Sequence, residues 1–126
     1  MEKSRYERGL EKLAEVDGAV GEQVVQSLKE VAPDLGTFII EFAFADIYTR
    51  PALDLKERER ITLSCLASIG GAENQLRVHI NGALNVGVTP KEIAEIFIHC
   101  VPYVGFPRAL NAVAIAKDVF KQRGLI

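Results

Sequence analysis

A chain of 126 residues, 48% hydrophobic and 25% charged, is sized for one domain that buries roughly two thirds of its unfolded surface. Such a domain can hold a core without disulfide or metal staples. The formal net charge of -2, with basic residues dispersed among acids, gives no electrostatic footprint for nucleic acid or anionic lipid. The opening MEKSRYERGLEK lacks an apolar segment and no long uninterrupted apolar run occurs anywhere. The expectation is a cytoplasmic protein that neither binds nucleic acid nor enters a membrane.

In chain order the punctuation predicts helices and almost no strands. Glu2 to Val16 carries Tyr6, Leu10 and Leu13 at helical spacing, and Asp17-Gly18 ends that helix. A second amphipathic helix follows from about Gly21 to Val31, and Pro33 opens a third, DLGTFIIEFAFADIYTR, that closes at Arg50-Pro51. This third helix is apolar nearly all round apart from Glu41 and Asp46, so it belongs at the centre of a core or of an oligomer. Asp54 with Glu57 reads as a capping box that starts a fourth helix, and Gly70-Gly71 stops it.

The fifth helix spans about Glu73 to Asn85 and is closed by Gly87. Thr89-Pro90-Lys91-Glu92 combines an N-cap, proline at the first helical position and a capping glutamate, a specific start for the sixth. Its residues Ile93, Ile96, Phe97, Cys100 and Val101 recur at helical spacing. Pro102, Gly105 and Pro107 are expected to break the chain before a last helix, Arg108 to Gln122. The predicted fold is an all-α, single-domain bundle of six to seven helices over residues 1–126. Its mean hydropathy of +0.12 leaves apolar area for a subunit interface, so a homo-oligomer is expected.

His79 is the first candidate for chemistry, because an imidazole titrates near neutrality and can take and return a proton. It shares a helix face with Gln75, Leu76 and Ala83, beside the buried stripe, a position where spacing alone favours a structural histidine held by a neighbour. Glu59 lies four and seven residues before Leu63 and Leu66, so its carboxylate points to the apolar side of its helix. There it either orients His79 or interacts with the helix dipole.

Arg50, after Tyr48, suits a substrate carboxylate or a salt bridge to Asp46 one turn earlier. Glu41, alone in FIIEFAF, must be paired, protonated or at an interface. Tyr103 sits in a Tyr-Val-Gly-Phe-Pro segment expected to form a rigid turn at a pocket wall, whereas His99 falls on the polar face of its helix with Glu92 and Glu95. Cys65 and Cys100 fit neither a zinc pattern nor a CxxC pair, and both are expected to be buried, reduced thiols. No phosphate loop, HExxH or nucleophile elbow is present.

Taken together, Arg50-Pro51, Arg58-Glu59, Leu76-x-x-His79, Ala83-Leu84-x-x-Gly87, Glu92 and Tyr103-x-Gly105-x-Pro107 resemble the carboxymuconolactone decarboxylase family across most of the chain. The resemblance implies an alkylhydroperoxidase D-like all-α fold in a ring-shaped homohexamer. One branch of that superfamily works as a peroxidase or disulfide reductase through a Cys-x-x-Cys before the histidine. Here Ala72 and Gln75 stand at those positions, which argues against that chemistry.

The decarboxylase branch is the closer resemblance. Its type reaction turns 4-carboxymuconolactone into 3-oxoadipate enol-lactone without a metal or organic cofactor. By that resemblance His79 is the general acid and Glu59 orients it, with Arg50, Tyr48, Glu41 and Tyr103 around a small-molecule substrate. A ring-shaped oligomer that binds a small acidic or thiol ligand without turnover is the alternative from another class.

Overall fold

The computed structural model describes residues 2–126. It is all-α, with helices α1 (Arg5–Ser27), α2 (Pro33–Phe38), α3 (Leu55–Ile69), α4 (Glu73–Asn85), α5 (Pro90–Val104) and α6 (Phe106–Gln122), and a π-helix at Ile39–Ile47. No strand occurs among the described residues. The chain gathers into two compact units, one ending at Leu55 and the other beginning at Lys56.

In the first unit, Ser4 caps α1 by accepting the Glu7 N–H. The predicted stop at Asp17-Gly18 is present as a kink, since Gly18 adopts φ 58° and ψ -143°. Helix resumes at once, so the two predicted helices form one bent element and the second half ends at Ser27 rather than Val31. The predicted third helix starts at Pro33 but widens at Ile39 into π geometry. There the Tyr48 N–H reaches five residues back to the Ala43 carbonyl at 2.9 Å.

That register cannot be seen by a helical-period reading. It turns Ile40, Phe44 and Ala45 inward, while Phe38 and Phe42 remain exposed. The segment is therefore half core and half apolar surface within this chain.

The π-helix packs on α1 through a close backbone approach. A Cβ on Gly9 would lie 2.0 Å from the Ile40 carbonyl oxygen and 2.9 Å from its Cγ2, closer than real atoms come. Gly9→Ala gains helix propensity of about 1 kcal/mol, but the clash with a backbone atom forces the two elements apart at an overpacking cost of about 1–3 kcal/mol. The expected result is a lower melting temperature, read by thermal denaturation, although alanine is the better helix former.

The second unit is organised around one core that includes Leu63, Leu76, Ile80, Ile93, Phe97 and Val119, contributed by α3, α4, α5 and α6. Two turns with positive φ, at Gly70-Gly71 and at Gly87, end α3 and α4 where expected. Helix α6 is tied to α4 by Arg77 to Asp118, at 3.3 Å, and by Arg123, which donates to the Asn81 and Asn85 side-chain oxygens at 3.0 and 3.1 Å.

The capping box at the start of α5 is complete: Thr89 Oγ1 accepts the Glu92 N–H and Glu92 Oε1 accepts the Thr89 N–H, both at 3.1 Å. Glu92 Oε2 also accepts from Arg60 on α3. The Arg60 guanidinium, followed by the Thr89 hydrogen bonds, holds the Glu92 carboxyl below its ordinary value of 4.5. A carboxyl depressed in the folded state contributes stability above its unfolded pKa and loses it as the pH falls through the folded one. Glu92→Gln should therefore lower the melting temperature at neutral pH, and the gap to the parent should close once the pH drops well below 4.5.

Two expectations need correction. Pro102 does not break the sixth predicted helix: α5 continues through it to Val104 and ends at Gly105, whose φ of 87° no longer fits a helix. Proline lacks one donor, and two residues from the end that loss removes a single bond of the ladder. Tyr103 thus lies on the last helical turn and is 77% exposed. Cys65 is exposed, not buried, because Ile61, Cys65 and Ile69 form the outward row of α3, with Ile61 and Ile69 also exposed.

Candidate functional site

The buried row of α3 is Glu59, Leu63 and Ala67, and that of α4 includes Leu76, Ile80 and Ala83. Successive members lie three or four residues apart, which keeps them on one side of each helix. In α3 the first place in the row is taken by a carboxylate. Glu59 has 0% of its surface exposed, and its Oε2 lies 3.0 Å from Nδ1 of His79. The His79 side chain keeps 20% exposure. A carboxylate sealed inside thus holds an imidazole that still reaches the surface.

This asymmetry has a chemical consequence. Removing a carboxylate from water is costly unless it is hydrogen-bonded, and His79 meets part of that demand. With Nδ1 donating to Glu59, the ring is fixed in rotation and in tautomer. An oriented imidazole of this kind can deliver a proton to a bound substrate and recover it from water.

Glu41, Tyr48 and Arg50 belong to the first unit. Glu41 is paired, its Oε1 lying 3.8 Å from Arg5, and its side chain is 27% exposed. Arg5 also forms a two-point bridge to Asp46, at 2.9 and 2.5 Å, which holds the Asp46 carboxyl below its ordinary range. Asp46, the alternative partner expected for Arg50, is therefore engaged by Arg5. Arg50 itself is exposed. Tyr48 stacks on Phe44 with ring centroids 4.7 Å apart. In the second unit Tyr103 lies beside the exposed His99, centroids 5.7 Å apart.

Cys65 on α3 and Cys100 on α5 are both free thiols. Ala72 is the N-cap of α4 and Gln75 lies in its first turn, so the position before the histidine carries no sulfur. No cluster of three or more His, Cys, Asp or Glu able to hold a metal ion is gathered among the described residues. No helix among them is long and apolar enough to cross a membrane.

Sequence reasoning missed a cleft in the second unit at the start of α4. It is lined by Gly70, Gly71, Ala72 and Leu76 on one side and by Arg108 and Asn111 of α6 on the other, and has about 20 Å³ of room. The signal was present in the sequence: Arg108 has Asn111 and Ala112 at the following turn, so no acid stands where a helical partner would.

Comparisons with known proteins bear on the family of the chain. Residues 33–118 match the model of the carboxymuconolactone decarboxylase family. The 4-carboxymuconolactone decarboxylase of Acinetobacter baylyi is 34% identical over 128 residues, covering 98% of this chain and 92% of that protein. The nitrosuccinic acid decarboxylase of Metarhizium robertsii is 38% identical over 80 residues, 63% of this chain and 54% of that protein. An uncharacterized 15.0 kDa protein of Paracoccus denitrificans is 29% identical over 99 residues, 78% of this chain and 74% of that protein. By the extent of the family match and the near full-length similarity, the chain belongs to the carboxymuconolactone decarboxylase family.

Proposed function

We propose that this protein is a cofactor-independent decarboxylase of small dicarboxylic acids, with residues 1–126 working as one domain and His79 as the proton donor. The observation that carries the reading is the buried Glu59 carboxylate 3.0 Å from a partly exposed His79, in a family whose named relatives are decarboxylases.

The two named substrates have a common skeleton. Both 4-carboxymuconolactone and nitrosuccinic acid are substituted succinates, with one carboxylate on a carbon joined to an electron sink and a second on a neighbouring methylene. When the first carbon–carboxylate bond breaks, carbon dioxide leaves and the bonding pair passes into the sink. In the lactone it travels through the ring double bond to the carbonyl oxygen. The anion is then protonated at carbon, next to the lactone carbonyl, and the ring becomes the enol-lactone.

Catalysis must stabilise that charge and place the proton. His79, as the imidazolium oriented by Glu59, performs the second task and regains its proton from solvent. Exposed apolar residues Phe106, Leu110 and Val113, spaced along one side of α6, support a homo-oligomer, in the hexameric arrangement implied by the family resemblance.

The test is direct. Purified protein is mixed with 4-carboxymuconolactone, and loss of the conjugated ultraviolet absorbance is followed together with carbon dioxide release. Turnover of both signals in equal amounts is expected. No change with substrate in excess over protein would replace this reading with that of a non-catalytic ligand binder.

A further inference from the structure

The second unit has several cations, and the guanidinium groups on its helices differ in how they are held. Arg60 binds Glu92, Arg77 binds Asp118 and Arg123 binds Asn81 and Asn85. Arg108 makes no ion pair or side-chain hydrogen bond among the described residues. It lies across Gly70, where a Cβ would meet its Nε at 3.0 Å. The glycine thus lets the guanidinium rest against the backbone at the mouth of the cleft, with Asn111 beside it.

The room available, about 20 Å³, exceeds the roughly 10–15 Å³ needed for a water and admits one small polar group rather than a whole ligand. A planar guanidinium with a neighbouring amide matches a carboxylate, which accepts two parallel N–H bonds. Glu73 also lines the cleft, but it is exposed and does not bridge Arg108. On α4, Ala72, Leu76 and His79 fall within about 60° of one another. The rise of the helix puts His79 roughly 4.5 Å along the axis from Leu76 and roughly 10 Å from Ala72. Leu76, which lines the cleft, thus stands one turn before His79 on the same side of α4.

We infer that Arg108, with Asn111, binds the carboxylate that the substrate keeps, so that the carboxylate to be lost lies towards His79. This rests on the decarboxylase reading for the identity of the ligand. The guanidinium would select diacids over monoacids, because a substrate without the second carboxylate leaves the cleft unfilled.

Succinate, which has both carboxylates and no electron sink, is the probe. Its binding is measured by titration calorimetry with the unmodified protein, Arg108→Gln, Arg108→Lys and Lys117→Gln. Lys117 is an exposed cation elsewhere on α6, and its replacement removes the same charge. The expected result is at least tenfold weaker binding for Arg108→Gln, an intermediate loss for Arg108→Lys and no change for Lys117→Gln. Equal affinity of Arg108→Gln and the parent, equal losses in the glutamine variants of Arg108 and Lys117, or no succinate binding by the parent would each overturn the assignment. Turnover is scored separately. Succinate binding through Arg108 in a protein that does not decarboxylate 4-carboxymuconolactone leaves the cleft assigned and removes the enzymatic reading, whereas decarboxylation of that lactone with an unchanged KM in Arg108→Gln does the reverse.

Discussion

His79→Gln should reduce decarboxylation of 4-carboxymuconolactone by about 10²–10⁴-fold in kcat, the range lost with a positioned general acid, while the protein stays folded. Glutamine is chosen because its side-chain amide can still donate to Glu59, whose carboxylate is fully buried. Alanine would take away that donor, leave the carboxylate short of a hydrogen bond at a cost of about 1–3 kcal/mol, and mix a folding defect into the kinetics. Circular dichroism and a melting curve establish that the glutamine variant is intact. If it then releases carbon dioxide at the parental rate, His79 is a structural residue and the proton comes from elsewhere.

Most of the helical order was legible because it is written in short-range chemistry. Thr89-Pro90-Lys91-Glu92 reads as a helix start from four residues, and all its hydrogen bonds are present. Gly70, Gly71 and Gly87 mark stops by their positive φ. The π-helix was not legible, since its five-residue hydrogen bond leaves no mark in a local helical period and its packing of Ile40 on Gly9 joins residues 31 positions apart. Pro102 misled for the opposite reason: a local rule was applied two residues too early.

The site divides in the same way. Glu59 and His79 could each be placed on the apolar side of a helix from spacing, but that their atoms meet at 3.0 Å is a tertiary fact. Spacing gave Arg50 prominence because it ends the most apolar segment. Arg108 drew no notice at the start of an alanine-rich helix, and its position over Gly70 appears only when α6 is folded against the turn before α4.

Glu59 separates a functional from a structural account more sharply than any other residue, because the two accounts predict opposite pairings of stability and rate. A buried carboxylate is a costly way to fill a core, and replacing one with an apolar side chain of similar size is often neutral or stabilising by about 1–4 kcal/mol. Glu59→Leu continues the row made by Leu63 and Ala67, so its melting temperature should equal or exceed the parent's, while kcat falls by about 10²-fold or more because the imidazole loses the partner that orients it. Glu59→Gln should show a smaller loss, since an amide oxygen can still accept from Nδ1. KM should change little in either variant, because Glu59 exposes no surface with which to touch a substrate. A leucine variant that melts earlier yet keeps the parental kcat would make Glu59 a strut for α3 and α4. A leucine variant that is at least as stable and nearly inactive means that the carboxylate is kept in the core for the sake of His79.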